Sequence, residues 1–161
     1  MRSLSAVFGF LTLAALTVAA TAPPLPAPPS DASPKAVSPT IVTLQGHLID
    51  TKCYGMGVNM EKPKMNYNNT HMVPGKDGTM QEVPNCASAC ANMGIPVGLV
   101  EGSTPGNKTY VLITPSTQLA EHMDKEARVS GELAFSGGVI PSKVEVKENG
   151  EWTEVEIATM M

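Results

Sequence analysis

The sequence predicts a mainly β domain, and two observations support this fold class. Several short segments alternate apolar and polar residues, as strands do when one face is buried. Only two segments carry the start and stop signals of helices, and both are short. The predicted order is a strand, a long irregular insert, a short helix, two strands, a second short helix and two or three further strands. About five to six strands with a helix after the third are typical of a small OB-like barrel.

The N-terminal region predicts an exported protein. Residues 1–20 combine one Arg with an uncharged apolar run, which is the layout of a secretory signal peptide, and cleavage is expected after Ala20. The alternative is an uncleaved membrane anchor, because about 18 apolar residues are the lower limit for a membrane span. Residues 21–39 contain seven prolines and predict an extended linker. The OB-like domain is therefore expected over 40–161, outside the cytoplasm, in a periplasmic or secreted protein.

The first strand is predicted in TIVTLQGHLID. Its inward face carries the alternating residues Val42, Leu44, Gly46 and Leu48. A glycine inside a strand predicts a bend or a bulge. Later strands are predicted in YVLIT, ARVSGELAF, SKVEVK and EWTEVEI, and ENG is the predicted turn between the last two.

Two capped helices are predicted between the strands. Asn85 is the expected N-cap of a helix over 86–93 that ends at Gly94. The Thr-Pro pair at 114–115 predicts the start of the second helix, which extends to about Met123.

Charge and motifs exclude several classes of function. The formal net charge is −4 at pH 7 and the basic residues form no cluster, so nucleic acid is not an expected partner. The chain has no nucleophile-elbow motif and no pair of carboxylates at an acid–base spacing, and an enzyme is not predicted. C-x-x-C-H and C-x-x-C are also absent, which disfavours covalent haem and a thioredoxin-like role.

The long insert, residues 51–85, is rich in sulfur. All three cysteines and six of the ten methionines lie between Cys53 and Met93. The insert has neither a helical nor a strand period, and Asn, Gly, Lys and Pro are frequent in it. Three interpretations of its methionines stay open: core packing, thioether ligands for Cu(I), or side chains with no specific role.

The predicted helix over 86–93 carries three sulfur-bearing residues on one face. Cys86, Cys90 and Met93 are spaced i, i+4 and i+7. Thiolates and thioethers are the soft ligands that Cu(I) prefers. His71 is the only histidine within the sulfur-rich region. The sequence predicts a Cu(I)-binding protein whose ligands are Cys53, Cys86 and Cys90, with Met93 and His71 as auxiliaries.

A disulfide is the alternative use of the same cysteines. An exported protein meets an oxidising compartment, where Cys53 is the natural partner of Cys86 or Cys90 and one thiol is left over. A bond between Cys86 and Cys90 is disfavoured, because the two side chains run parallel along one helix. The protein is then an interaction module that binds an envelope protein through its barrel face, without a metal.

Four segments resemble a group of small exported bacterial proteins with an OB-like domain. The segments are GHLIDTKC, CASACANMGIPVGLV, TYVLITP and ARVSGEL, and they cover about residues 41–135. The group pattern is approximately G-x-hydrophobic-x-D-x-x-C followed by C-x3-C-x3-G-x-P, and the three cysteines, Asp50, Gly94 and Pro96 match it. The resemblance implies the fold and export, and it implies no activity. The longer, methionine-rich insert departs from the group.

Overall fold

The computed structural model describes residues 38–59, 64–134 and 137–158. The predicted signal peptide, residues 1–20, and residues 21–37 of the predicted linker lie outside this part of the chain. Within it, no helix is both long enough and apolar enough to cross a membrane. The elements are, in chain order, β1 (Ile41–Asp50), α1 (Thr51–Asn59), β2 (His71–Pro74), β3 (Met80–Val83), α2 (Cys86–Asn92), β4 (Val97–Glu101), β5 (Thr109–Leu112), a 3₁₀ helix (Ser116–His122), β6 (Glu126–Leu133), β7 (Gly138–Glu148) and β8 (Glu151–Val155).

The mainly β prediction is confirmed, and most strands form one sheet. Six strands pair in the order β5-β4-β1-β6-β7-β8, and β5 also pairs in parallel with β7. The strands β2 and β3 form a separate two-stranded sheet inside the insert. The long strand β1 lies in the middle of the larger sheet, pairing with β6 over 41–47 and with β4 over 46–50. Its last residues therefore project from the centre of the sheet toward the insert.

The alternation predicted for β1 is confirmed, and Gly46 marks the change of partner strand. Leu48 is fully buried, whereas Thr43 and Gln45 are exposed. A Cβ atom on Gly46 would lie 2.1 Å from the carbonyl oxygen of Val100, so only glycine fits against β4 here. The close approach explains the glycine that the sequence assigned to a bend or bulge.

The hydrophobic core joins the sheet to α2 and the 3₁₀ helix. From α2, Ala87 and Ala91 enter the core, where they belong to the same cluster as Leu119 of the 3₁₀ helix and Leu99 of β4. The Ser116 hydroxyl donates a hydrogen bond of 2.8 Å to the carbonyl oxygen of Ala91. Because alanines form this contact, α2 packs closely and its orientation is fixed by the core.

Two expectations for the insert 51–85 were wrong. It is not irregular: it contains α1 and the β2–β3 hairpin, so the described residues hold three helical segments instead of two. Two glycines and the lack of an apolar period in TKCYGMGVN concealed α1. The start signal was nevertheless present, since Asp50 precedes the helix and its Oδ1 accepts a hydrogen bond of 2.9 Å from the backbone N–H of Lys52, as an N-cap does.

The two predicted helices are present, but the capping residues differ from the prediction. The first predicted helix is α2, and Asn85 precedes it in a left-handed conformation, φ 55°, with no capping hydrogen bond from its side chain. An N-cap normally has β-region dihedrals, which explains why Asn85 does not cap. The second helix is a 3₁₀ helix that follows Pro115, also without a side-chain cap. The turn predicted in ENG is confirmed, with positive φ at both Asn149 and Gly150.

Candidate metal centre

Two helices bring the three cysteine sulfurs together. Cys53 lies in the first turn of α1, directly after β1, while Cys86 and Cys90 lie one turn apart on α2. The three Sγ atoms all lie within 4.8 Å of one another. Cys53 and Cys90 are buried, Cys86 is half-buried, and all three are free thiols in this structure. The core contacts of α2 and the start of α1 after β1 thus produce a compact three-thiol group.

A second group of ligand atoms shares Cys53 with the first. It consists of a carboxylate oxygen of Asp50, the Cys53 sulfur and a ring nitrogen of His71, again all within 4.8 Å of one another. Asp50 ends β1 and His71 begins β2, so the insert folds back over the end of the central strand. All three residues are buried.

Three polar atoms of this second group have no hydrogen-bond partners among the described residues. These atoms are Oδ2 of Asp50 and both ring nitrogens of His71. His71 Nδ1 and Asp50 Oδ2 are 3.8 Å apart, which is too far for a hydrogen bond. The side chains are 0 % and 1 % exposed, so water on the surface does not solvate them. Buried groups of this kind are normally paired, and an unpaired set requires an explanation such as a bound ion.

When no ion is bound, burial favours the uncharged forms of the thiols and of the imidazole in this centre. Burial first, and the nearby Asp50 carboxyl second, raise the pKa of Cys53 to about 12. Burial first, and the nearby Asp50 carboxyl second, raise the pKa of Cys90 to about 11. Burial lowers the pKa of His71, although the Asp50 charge acts in the opposite direction. At neutral pH these two thiols are protonated and the imidazole is neutral, so a bound cation would have to displace the thiol protons.

Two asparagines of the insert hold the ligand-bearing elements in place. The buried Asn66 accepts a hydrogen bond of 2.7 Å from the Met72 backbone N–H and donates one of 3.1 Å to the Cys53 carbonyl oxygen. Asn69 accepts a hydrogen bond of 3.0 Å from the Ser88 backbone N–H in the first turn of α2. Asn66 therefore links α1 to β2 next to His71, and Asn69 provides the cap that Asn85 does not.

The structure brings most of the ligands predicted from the sequence together, but not all of them. Cys53, Cys86 and Cys90 are brought together, and His71 joins them through the group that it shares with Cys53. Met93 lies immediately after α2 and is 74 % exposed. Asp50 was not predicted as a ligand, although the D-x-x-C spacing in the resembled group contained the signal.

The insert methionines differ in their exposure. Met56 and Met80 are exposed, which contradicts core packing for these two residues. Met65 and Met72 are half-buried. Met60 lies outside the described residues.

The two other histidines have ordinary polar partners. The ring of His47 stacks on Tyr67 at a centroid distance of 4.2 Å, and its Nε2 lies 3.1 Å from Asp124 Oδ1. His122 lies 3.6 Å from Glu148. The unpartnered His71 is distinguished from both by its complete burial.

No family model matches this chain, and no curated protein and no solved structure matches it either.

Proposed function

We propose that this protein binds Cu(I) through Cys53, Cys86 and Cys90. The observation that carries the proposal is the mutual approach of the three Sγ atoms to within 4.8 Å in a largely buried site. Sulfur ligands lie about 2.3 Å from a metal ion, so three sulfurs in a trigonal arrangement around one ion are about 4.0 Å apart. A small rearrangement of the thiols is enough to bind a single ion.

The kind of ligand favours Cu(I) over harder cations. Three thiolates form a soft donor set, which selects Cu(I) and disfavours Mg²⁺ or Ca²⁺. Cys86 is the half-buried member, so the ion reaches the site from its side. Met93 is exposed one turn beyond Cys90, where it can meet an arriving ion, and we assign it an auxiliary role only. We do not assign His71 to the Cu(I) ion, because it belongs to the second group of ligand atoms, with Asp50 and Cys53.

We further propose that the sheet is an OB-like barrel. The pairing runs from β5 through β4, β1 and β6 to β7, and the parallel pairing of β7 with β5 returns to the starting strand. The 3₁₀ helix lies between β5 and β6, after the third strand of this ring. These connections support the small OB-like barrel of about five to six strands that the sequence predicted.

The proposed setting is outside the cytoplasm, and the proposed role is binding and not catalysis. The apolar run at 1–20 and the proline-rich 21–39 support export with cleavage after Ala20. The domain then carries or sequesters Cu(I), and an envelope protein is the proposed partner only under the disulfide alternative. The alternative is an interaction module stapled by a disulfide from Cys53 to Cys86 or Cys90, and the same short sulfur separations support it.

Competition with a chromophoric Cu(I) chelator tests the proposed function. The reduced protein, Cys86→Ser and Cys90→Ser are compared under anaerobic conditions. We expect each substitution to weaken Cu(I) binding at least about tenfold, which corresponds to about 1.4 kcal/mol, because a thiolate ligand is lost.

The matched control is Ala89→Ser, which adds the same hydroxyl to an exposed position of α2. It should bind Cu(I) as the wild type does. If neither cysteine variant differs from this control, the helix cysteines are not ligands. Thiol counting on the protein as isolated identifies the alternative, since a stapled protein has one free thiol instead of three.

A further inference from the structure

The three-thiol group leaves a second set of ligands unused. Three thiolates complete the trigonal coordination that Cu(I) accepts. Asp50 Oδ2 and the ring nitrogens of His71 are then still buried and without partners among the described residues. The two groups of ligand atoms share only Cys53. One ion on the three sulfurs therefore does not explain the Asp50–His71 pair.

The distance between the unpartnered atoms suits a shared cation. His71 Nδ1 and Asp50 Oδ2 are 3.8 Å apart. Nitrogen and oxygen ligands lie about 2.0–2.2 Å from a tetrahedral Zn²⁺, so two of them on one ion are about 3.4 Å apart, and a shift of about 0.4 Å brings these two atoms to that separation. An imidazole, a carboxylate and a thiolate are all ligands that Zn²⁺ uses, whereas a carboxylate is a poor ligand for Cu(I).

The charge of the centre also favours a second cation. Cu(I) on three thiolates has a net charge of −2, and the Asp50 carboxylate brings the buried centre to −3. Among the described residues, His71 is the only basic side chain within ion-pair distance of Asp50. An uncompensated buried charge is costly, and a divalent ion reduces the total to −1.

We infer that the protein holds a second metal ion, a divalent cation of the Zn²⁺ class, on Asp50, Cys53 and His71. The inference rests on the proposed function, because Cys53 bridges this ion and the Cu(I) of the three-thiol group. The thiolate of Cys53 then lies between the two cations, with Cys86 and Cys90 on one side and Asp50 and His71 on the other. The centre is a binuclear site built at the end of β1.

Metal counting on the wild type tests the inference first. The full protein is reduced, stripped of metal, loaded with one equivalent of Cu(I) without oxygen and titrated with Zn²⁺, and native mass spectrometry counts the ions. We expect one copper and one zinc per chain. A protein that holds one copper and takes up no zinc overturns the inference and leaves the proposed function intact.

Two variants identify the ligands of the second ion. His71→Gln and Asp50→Asn should keep one Cu(I) and lose Zn²⁺ affinity at least about tenfold. The matched control His122→Gln, at a histidine that lies beside Glu148, should keep both ions. If His71→Gln keeps zinc, or loses copper instead, the assignment is wrong. Circular dichroism verifies that each variant folds, and the wild-type count decides the question even when one variant does not.

The two proposals can fail separately. If the wild type binds no Cu(I), the proposed function fails, and Zn²⁺ titration of the copper-free protein still reports on the second group. Zinc binding that requires His71 and Asp50 but survives Cys86→Ser supports the inference. Zinc binding that requires Cys86 and is indifferent to His71 overturns it.

Discussion

Cys53 is the residue on which the whole centre depends. It belongs to both groups of ligand atoms, and it lies in the first turn of α1, whose N-cap is Asp50. One oxygen of the Asp50 carboxylate thus fixes the helix start, while the other points to the same site as the thiol. The geometry of Cys53 is therefore set by a residue that is itself a proposed ligand.

The raised thiol pKa values predict the pH dependence of Cu(I) binding. Burial raises the pKa of Cys53 to about 12 and that of Cys90 to about 11, so each loses its proton only when the ion binds. Apparent affinity should therefore rise with pH between 6 and 8, by about tenfold per pH unit for each proton released. Chelator competition at several pH values measures the slope of log affinity against pH. Cys53→Ser should lower this slope by about one, because one proton fewer is released. A slope of zero contradicts thiolate binding.

At the scale of single residues, the sequence predicted the thiols better than their surroundings. Cysteines are recognisable as candidate ligands by their chemistry, and the i, i+4 spacing places Cys86 and Cys90 on one helix face. Asp50 was visible only in the D-x-x-C spacing. The roles of Asn66 and Asn69 had no signal, because both act through long-range hydrogen bonds to backbone groups of α1, β2 and α2.

At the scale of elements, the insert combines polar contacts to α2 with a small apolar cluster, in which Tyr54 and Tyr67 pack with Ile49 and Val100. The loop that precedes β2 supplies Asn69, whose side chain also donates a hydrogen bond of 3.0 Å to the Ser88 hydroxyl. Its own carbonyl oxygen accepts a hydrogen bond of 3.2 Å from the Ala87 backbone N–H. The start of α2, which carries Cys86, is therefore held by the insert.

Removal of the Asn69 side chain should loosen this end of α2. We expect Asn69→Ala to lower the free energy of unfolding by about 1 kcal/mol, the usual cost of losing a helix cap. Cu(I) affinity should fall with it, because Cys86 becomes less well positioned. Urea unfolding and chelator competition measure the two effects. The neighbouring Asn68→Ala, at an exposed side chain, is the control; equal losses in the two variants would contradict the capping role.

The strands β1, β5, β6, β7 and β8 were predictable because each satisfies a local rule, whereas β2 and β3 of the insert were not predicted. Alternation identified β1 and β6, and the Asn-Gly pair identified the turn between β7 and β8. By contrast, α1 contains Gly55 and Gly57 and lacks an apolar stripe. Its stability therefore comes from its cap and from tertiary contacts. One of these is the hydrogen bond of 2.7 Å that the Thr51 hydroxyl donates to the Pro96 carbonyl oxygen. Such contacts cannot be inferred from local patterns.

At the scale of the whole molecule, the centre joins segments that are distant in sequence. The end of β1 supplies Asp50, α1 supplies Cys53, the hairpin supplies His71 and α2 supplies two cysteines. The alanines of α2 enter the main core, and Tyr54 of α1 packs in a second buried cluster with Ile49 of β1 and Val100 of β4. A metal ion that binds all of them would act as a cross-link between the insert and the sheet.

Cu(I) should therefore raise the thermal stability of the reduced protein. An ion at 100 times its dissociation constant adds about 2.7 kcal/mol to the free energy of unfolding, when the unfolded chain does not bind it. For a domain of this size the melting temperature should rise on the order of 10 °C. Differential scanning calorimetry without oxygen measures the shift, which a strong Cu(I) chelator should reverse and Cys86→Ser should diminish. The disulfide alternative predicts the contrary: the isolated protein loses stability when it is reduced, and Cu(I) does not restore it.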